Sequence, residues 1–99
     1  MRWAFSRIPK LARDLPRDYA SGEREFDRRV KQLFPIGSSE AGLIKHLRSN
    51  GFSIRETKEG FCSASLVRGL VIKTLWSARW RAEDGQITEI WGVYGAIAP

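Results

Sequence analysis

The sequence predicts an α+β domain in which two N-terminal helices pack on one face of a three-stranded antiparallel β-meander. Three observations carry this prediction. Apolar residues recur with a period near 3.6 up to Phe52 and with a period near 2 after it. Asp84-Gly85 lies between two apolar, β-branched runs, the pattern of a two-residue type I′ hairpin. No linker, internal repeat or low-complexity tract divides the 99 residues, a length suited to one domain. Residues 18–99 are expected to form that domain and residues 1–17 a basic arm.

The opening, MRWAFSRIPKLARDLPRDYASG, interrupts its apolar runs with Arg2, Arg7, Lys10, Arg13 and Arg17, and Pro9 and Pro16 break any long helix. It reads as an arm that folds back on the domain, too charged to span a bilayer and without the apolar segment of a secretory signal. No early cysteine offers a site for lipid attachment. The five cations are the candidate contacts to an anionic membrane surface, with Trp3, Phe5, Ile8, Leu11 and Leu15 at interfacial depth.

Phe26, Val30, Leu33 and Phe34 form the single apolar stripe of a first helix. Ser21 or Asp18 supplies its N-cap. Glu23, Glu25 and Asp27 precede Arg28, Arg29 and Lys31, which suits the helix dipole, and Pro35 stops the run. A second helix starts from Ser38 or Ser39, with Glu40 in its first turn and Leu43, Ile44 and Leu47 inside. Its end reads as a Schellman motif, with Gly51 left-handed at C′ and Phe52 at C″ packed on Leu47. Residues 53 to 60 form a polar connection that could start a strand, Phe61 to Val67 a short strand, and Leu70 to Ala82 and Gln86 to Ile97 two long strands.

Pairing through the two-residue turn sets Trp80 against Glu89, Ala78 against Trp91 and Trp76 against Val93. One face then holds Trp76, Ala78, Trp80, Ala82, Ile87, Trp91 and Val93, broken only by Glu89. This is the expected inner face, with the three tryptophans as core; an exposed aromatic platform for bases or sugars is the alternative, and it would leave both helical stripes uncovered. The outer face, with Leu75, Arg79, Arg81, Thr88, Ile90 and Tyr94, is the candidate partner-binding surface. It is more apolar than a purely solvated sheet face requires.

Hydrophobic residues at 42% and charged residues at 28% are the proportions of a folded globular chain, not a disordered one. Seventeen Lys and Arg against eleven Asp and Glu leave a formal charge of +6, which favours nucleic acid, anionic lipid or an acidic protein. Cys62 and His46 are the sole cysteine and histidine, so no disulfide and no Cys/His zinc site is expected, and no cofactor. Cys62, in FCSAS, reads as a buried strand residue, and His46 as a boundary residue; no nucleophile, base or metal set points to an enzyme.

The run GSSEAGLIKHLRSNGF, followed by LWSARWRAEDGQITEIWG, resembles the small outer-membrane assembly lipoprotein family called SmpA/OmlA or BamE-like. The αα-plus-antiparallel-sheet unit of that family also resembles the repeats of β-lactamase inhibitor protein. Gly37-Ser38-Ser39 takes the place of the family's helix start, Leu43 to Gly51 that of its helix and glycine stop, and Trp80 to Ile87 that of its terminal hairpin. The resemblance implies the fold above and a non-catalytic, protein-binding habit. The expected function is a small protein-interaction module, peripheral to a bacterial membrane or envelope. The alternative is a nucleic-acid-binding domain using the arm and the Arg/aromatic sheet face.

Overall fold

A computed structural model describes residues 8–97 of the chain. After a 3-10 turn at Lys10–Ala12 come helix α1 (Tyr19–Leu33), helix α2 (Glu40–Ser49) and strands β1 (Ser53–Glu56), β2 (Cys62–Arg68), β3 (Lys73–Glu83) and β4 (Gln86–Ile97). The fold is α+β, and the sheet is an antiparallel meander of four strands in the order β1-β2-β3-β4. The three-strand expectation is therefore corrected: the segment SIRE, read as a polar connection that could start a strand, is an edge strand in its own right. Only Ile54 of its four residues is drawn in from solvent, so it lacks the alternation that announces a half-buried strand.

Local chemistry sets the helix ends. Asp18, with its backbone extended, caps α1 by accepting from the Ser21 amide at 2.9 Å. Ser39 caps α2 by accepting from Gly42 at 3.1 Å. At the far end of α2, Gly51 adopts φ 91°. The Phe52 amide then reaches the Leu47 carbonyl at 3.0 Å and the Gly51 amide that of Arg48 at 3.1 Å, the two bonds of a Schellman ending.

Both helical stripes belong to the same buried cluster as alternate residues of the sheet: Phe26, Val30, Leu43 and Leu47 with Ala64, Leu66, Trp76, Ala78, Trp80 and Ile90. Trp80 is wholly buried, and its indole N–H donates to the Glu40 carboxylate at 2.8 Å, which ties the first turn of α2 to the sheet. Segment 8–17, expected as a basic arm folding back on a domain that starts at residue 18, contributes buried Ala12 to this cluster, with Ile8, Leu11 and Leu15 against it. The Arg29 side chain holds it there, donating through Nη1 to the carbonyls of Arg13 at 2.6 Å and Leu11 at 3.2 Å. Packing thus extends across the expected boundary at residue 17.

The predicted turn is present. Asp84 and Gly85 have φ 54° and 78°, and Glu83 pairs with Gln86 and Ala82 with Ile87. Beyond it the register shifts. Arg81 pairs with Glu89, so Thr88 has no counterpart, and this β-bulge reverses the facing of every later residue of β4. Trp80 lies opposite Ile90, Ala78 opposite Gly92 and Trp76 opposite Tyr94.

The shift places Gly92 beneath α1. A Cβ there would sit 2.9 Å from Asp27 Cα and 2.9 Å from Phe26 Cδ2, so the helix rests on bare strand backbone. The Gly92 amide donates to Asp27 Oδ1 at 2.8 Å and the Tyr94 amide to Glu23 Oε2 at 3.2 Å. Four helical residues advance about 6 Å and two strand residues about 6.8 Å, so carboxylates spaced i, i+4 match edge amides spaced i, i+2. Nearer the turn, Gly37 and Ile87 complete the edge: Gly37 donates to the Ile87 carbonyl at 2.7 Å and Ile87 to the Ser38 carbonyl at 2.9 Å.

Two predictions test this packing. Gly92→Ala should destabilise the domain by about 1–3 kcal/mol, because helix backbone must move to admit the methyl group. Gly42→Ala, whose Cβ would meet only Ser39 at 3.6 Å, should stabilise by about 0.5–1 kcal/mol through lost chain entropy; thermal melts of the two variants are the measurement, and equal midpoints would disprove the close contact. Arg29→Ala should release segment 8–17, read as faster tryptic cleavage after Lys10, Arg13 and Arg17 at an unchanged rate elsewhere.

Candidate partner-binding face

Alternation along the strands gives the sheet a second face, away from the core cluster. Ser63, Ser65 and Val67 of β2 lie on it, with Leu75, Ser77, Arg79 and Arg81 of β3 and Glu89, Trp91 and Val93 of β4. Its floor is polar and tied together. Ser77 is wholly buried, its Oγ accepting from Ser65 Oγ at 3.1 Å and from Arg79 Nε at 3.2 Å.

At the end of this face nearest the Asp84-Gly85 turn the side chains form a cation–aromatic cluster. The Phe61 and Trp91 rings meet edge to face, with centroids 5.3 Å apart. The guanidinium groups of Arg79 and Arg81 lie over the Phe61 ring, 5.9 Å and 5.8 Å from its centroid, where the ring quadrupole attracts cations. Arg81 Nε also donates to Glu89 Oε1 at 3.0 Å. Beside the cluster, a recess of about 580 Å³ is lined by Arg55, Phe61, Ser63, Ser65 and Arg79, and by Val67 and Ile97 towards its apolar end.

The six residues expected to form a partner-binding face are thus divided. Leu75, Arg79 and Arg81 are on the outer face. Ile90 is buried in the core, and Tyr94 is half-buried on the inner side against Tyr19 and Trp76. Thr88 is exposed at the bulge. Trp91 and Val93, expected inside, are half-buried on the outer face, so two of the three hairpin tryptophans are core and the third is surface. Phe61 and Trp91 were missed as site residues; the signal lay in Glu89, the one charge that interrupted the expected inner face and that the bulge turns outward.

Of the cations assigned to an anionic surface, Lys10, Arg13 and Arg17 are exposed, while Arg2 and Arg7 lie outside the described residues. A second recess, of about 780 Å³, runs between segment 8–17 and the helices past Lys10, Arg13, Arg28 and His46. Two of its arginines are matched at home. Glu25 accepts from Arg28 and Arg29 at 2.8 Å each, and these bonds hold its carboxyl down to about 2. The carboxylate is therefore ionised and paired at neutral pH, and the stability that the pairing contributes falls as pH drops from the ordinary carboxylate range through that value. His46 packs edge-on against Phe34, with centroids 5.5 Å apart.

Cys62 is half-buried on the inner face, opposite Trp80. Burial, reinforced by the Glu40 and Glu56 carboxylates, pushes its thiol up from the ordinary value. Among the described residues no group of three or more His, Cys, Asp or Glu side chains could hold a metal ion, and no helix is long and apolar enough to cross a membrane. Comparison with protein-family models, curated proteins and solved structures returns no match. The raised thiol makes a direct prediction: iodoacetamide should alkylate Cys62 more slowly than a free cysteine at neutral pH, with its pH–rate curve displaced to higher pH than that of a free thiol and matching it once the chain is unfolded.

Proposed function

We propose that this chain is a small non-catalytic binding module that holds an acidic protein partner on the outer face of its sheet. The observation that carries the reading is the cluster of Phe61, Trp91, Arg79 and Arg81 on a face outside the shared helix–sheet core. Aromatic rings and arginines dominate interface energy, and here the rings are braced by one another and the guanidinium groups by Ser77 and Glu89, which lowers the entropy lost on docking. The half-buried Ser65 hydroxyl, which lines the recess, is the part of the serine floor that can accept from an incoming backbone amide, and the +6 charge favours an acidic surface. The resemblance to BamE-like domains points the same way.

Nucleic acid is the second reading, because the same side chains suit phosphate and base contacts. It is disfavoured by Glu89 at the centre of the cluster, already bonded to Arg81, and by a Phe61 face engaged with two guanidinium groups rather than open to stack a base.

The test compares wild type with Trp91→Ala and with Arg79→Ala/Arg81→Ala, using proteins cross-linked in the source cell and, separately, mixed-sequence RNA and DNA over a salt series. A specific protein should be captured by wild type and lost with either variant, a drop of about thirtyfold in affinity or more once the partner is isolated, at little change in melting. Capture indifferent to all three substitutions would remove the face from consideration. Tight nucleic-acid binding that falls log-linearly with salt and disappears with the arginines would establish the second reading instead.

A further inference from the structure

The hairpin that joins β2 to β3 carries a feature that neither the core nor the outer face uses. Its loop is Gly69-Leu70-Val71-Ile72, and the three aliphatic side chains are 94%, 72% and 64% exposed. Loops of this kind draw on glycine, proline, asparagine, aspartate and serine for local geometric reasons. Only Gly69 meets such a need here: its φ is 126°, and a Cβ would lie 2.4 Å from the Ile72 carbonyl oxygen. Nothing in the turn calls for Leu-Val-Ile, and among the described residues none buries them.

We propose that Leu70, Val71 and Ile72 form a lipid-insertion tip that docks the chain on an anionic bilayer surface, with Arg68 and Lys73 at headgroup level. The charge pattern is complementary to such a surface. Arg68 and Lys73 bracket the tip, and between Glu59 and Glu83 the chain carries Arg79 and Arg81 as well and no acidic residue. Val67 and Ile97, 39% and 40% exposed, extend the apolar end of the sheet behind the loop. Shape selects lipid over protein. A stable protein interface covers about 800 Å² on each partner around aromatic and arginine anchors, whereas a convex tip of three aliphatic side chains presents a small apolar point ringed by cations, the arrangement that an acyl boundary beneath phosphates accepts.

The inference is independent of the outer-face reading. The cation–aromatic cluster lies at the opposite end of β3, beside the Asp84-Gly85 turn, so a docked tip leaves it in water. It also differs from electrostatic attraction through residues 1–17, because it requires apolar contact.

Sedimentation with vesicles of phosphatidylcholine alone, and of phosphatidylcholine with phosphatidylglycerol, tests it. Wild type should bind the anionic vesicles. Leu70→Ser/Val71→Ser/Ile72→Ser should reduce that binding roughly tenfold or more, and Arg68→Gln/Lys73→Gln should weaken it towards the level on neutral vesicles, both with unchanged melting. Insertion is read separately in Cys62→Ser/Val71→Cys labelled with bimane, whose emission should shift to the blue on anionic vesicles and be quenched by brominated lipid. This second variant decides the matter if the triple variant folds poorly. Failure of wild type to bind, equal binding by the triple serine variant, or unshifted bimane emission would each overturn the proposal.

Discussion

Helix α1 rests on the bare backbone of β4 at Gly92, and most of the molecule follows from that contact. A glycine is required because Asp27 Cα and the Phe26 ring occupy the space where a Cβ would stand. The close approach brings the carboxylates of Asp27 and Glu23 within hydrogen-bond reach of consecutive outward amides on the edge strand. An edge of twelve residues would otherwise present a row of free donors to any passing strand. Here the helix that fills the core also closes the edge, and β4 can be the longest strand without inviting another chain.

The β-bulge at Thr88 is what brings Gly92 to that position. Without it Trp91 would stand beneath α1, where Phe26 already fills the available volume. One unpaired residue therefore performs two tasks: it admits the helix to the sheet, and it moves a tryptophan and a glutamate to the opposite face. The outer cluster of Trp91, Phe61, Arg79 and Arg81 is a consequence of the way the core closes. Removing the bulge would cost the core its close contact and the outer face its ring at once.

This coupling separates what could be read in the sequence from what could not. The caps at Asp18 and Ser39, the Schellman ending at Gly51-Phe52 and the turn at Asp84-Gly85 were legible because each depends on a few neighbouring residues. The bulge depends on which of two consecutive β4 residues meets a helix some sixty positions away, and its one local sign is Glu89, a charge on the expected inner face that does not by itself locate the extra residue. Strand β1 was legible only as a candidate strand start inside a polar connection, because an edge strand with one inward side chain has no period. Leu70-Val71-Ile72 was read as strand from its β-branched content, yet pairing stops at Arg68 and Thr74, where Gly69 turns the chain. The candidate site was legible in its arginines and illegible in its rings, for the same reason of register.

Charge shows a related limit of the linear view. The first third of the chain holds a large share of the basic surplus, which suggests a free cationic arm. In the folded chain Arg29 is spent on the carbonyls of segment 8–17 and Arg28 on Glu25 and Gln32, while Asp27 and Glu23 are drawn to the β4 edge. Position along the chain is thus a poor guide to where positive potential is available. The β2–β3 hairpin has fewer cations than the arm but no acidic neighbours in sequence, and it pairs them with apolar side chains that the fold leaves bare. Anionic lipid rewards that pairing more than it rewards cations alone, because apolar insertion is insensitive to salt while phosphate attraction is screened within a Debye length of about 8 Å. On the proposal above, a short basic-flanked apolar tip would therefore hold the chain to anionic lipid at physiological ionic strength, where cations without apolar contact would be screened.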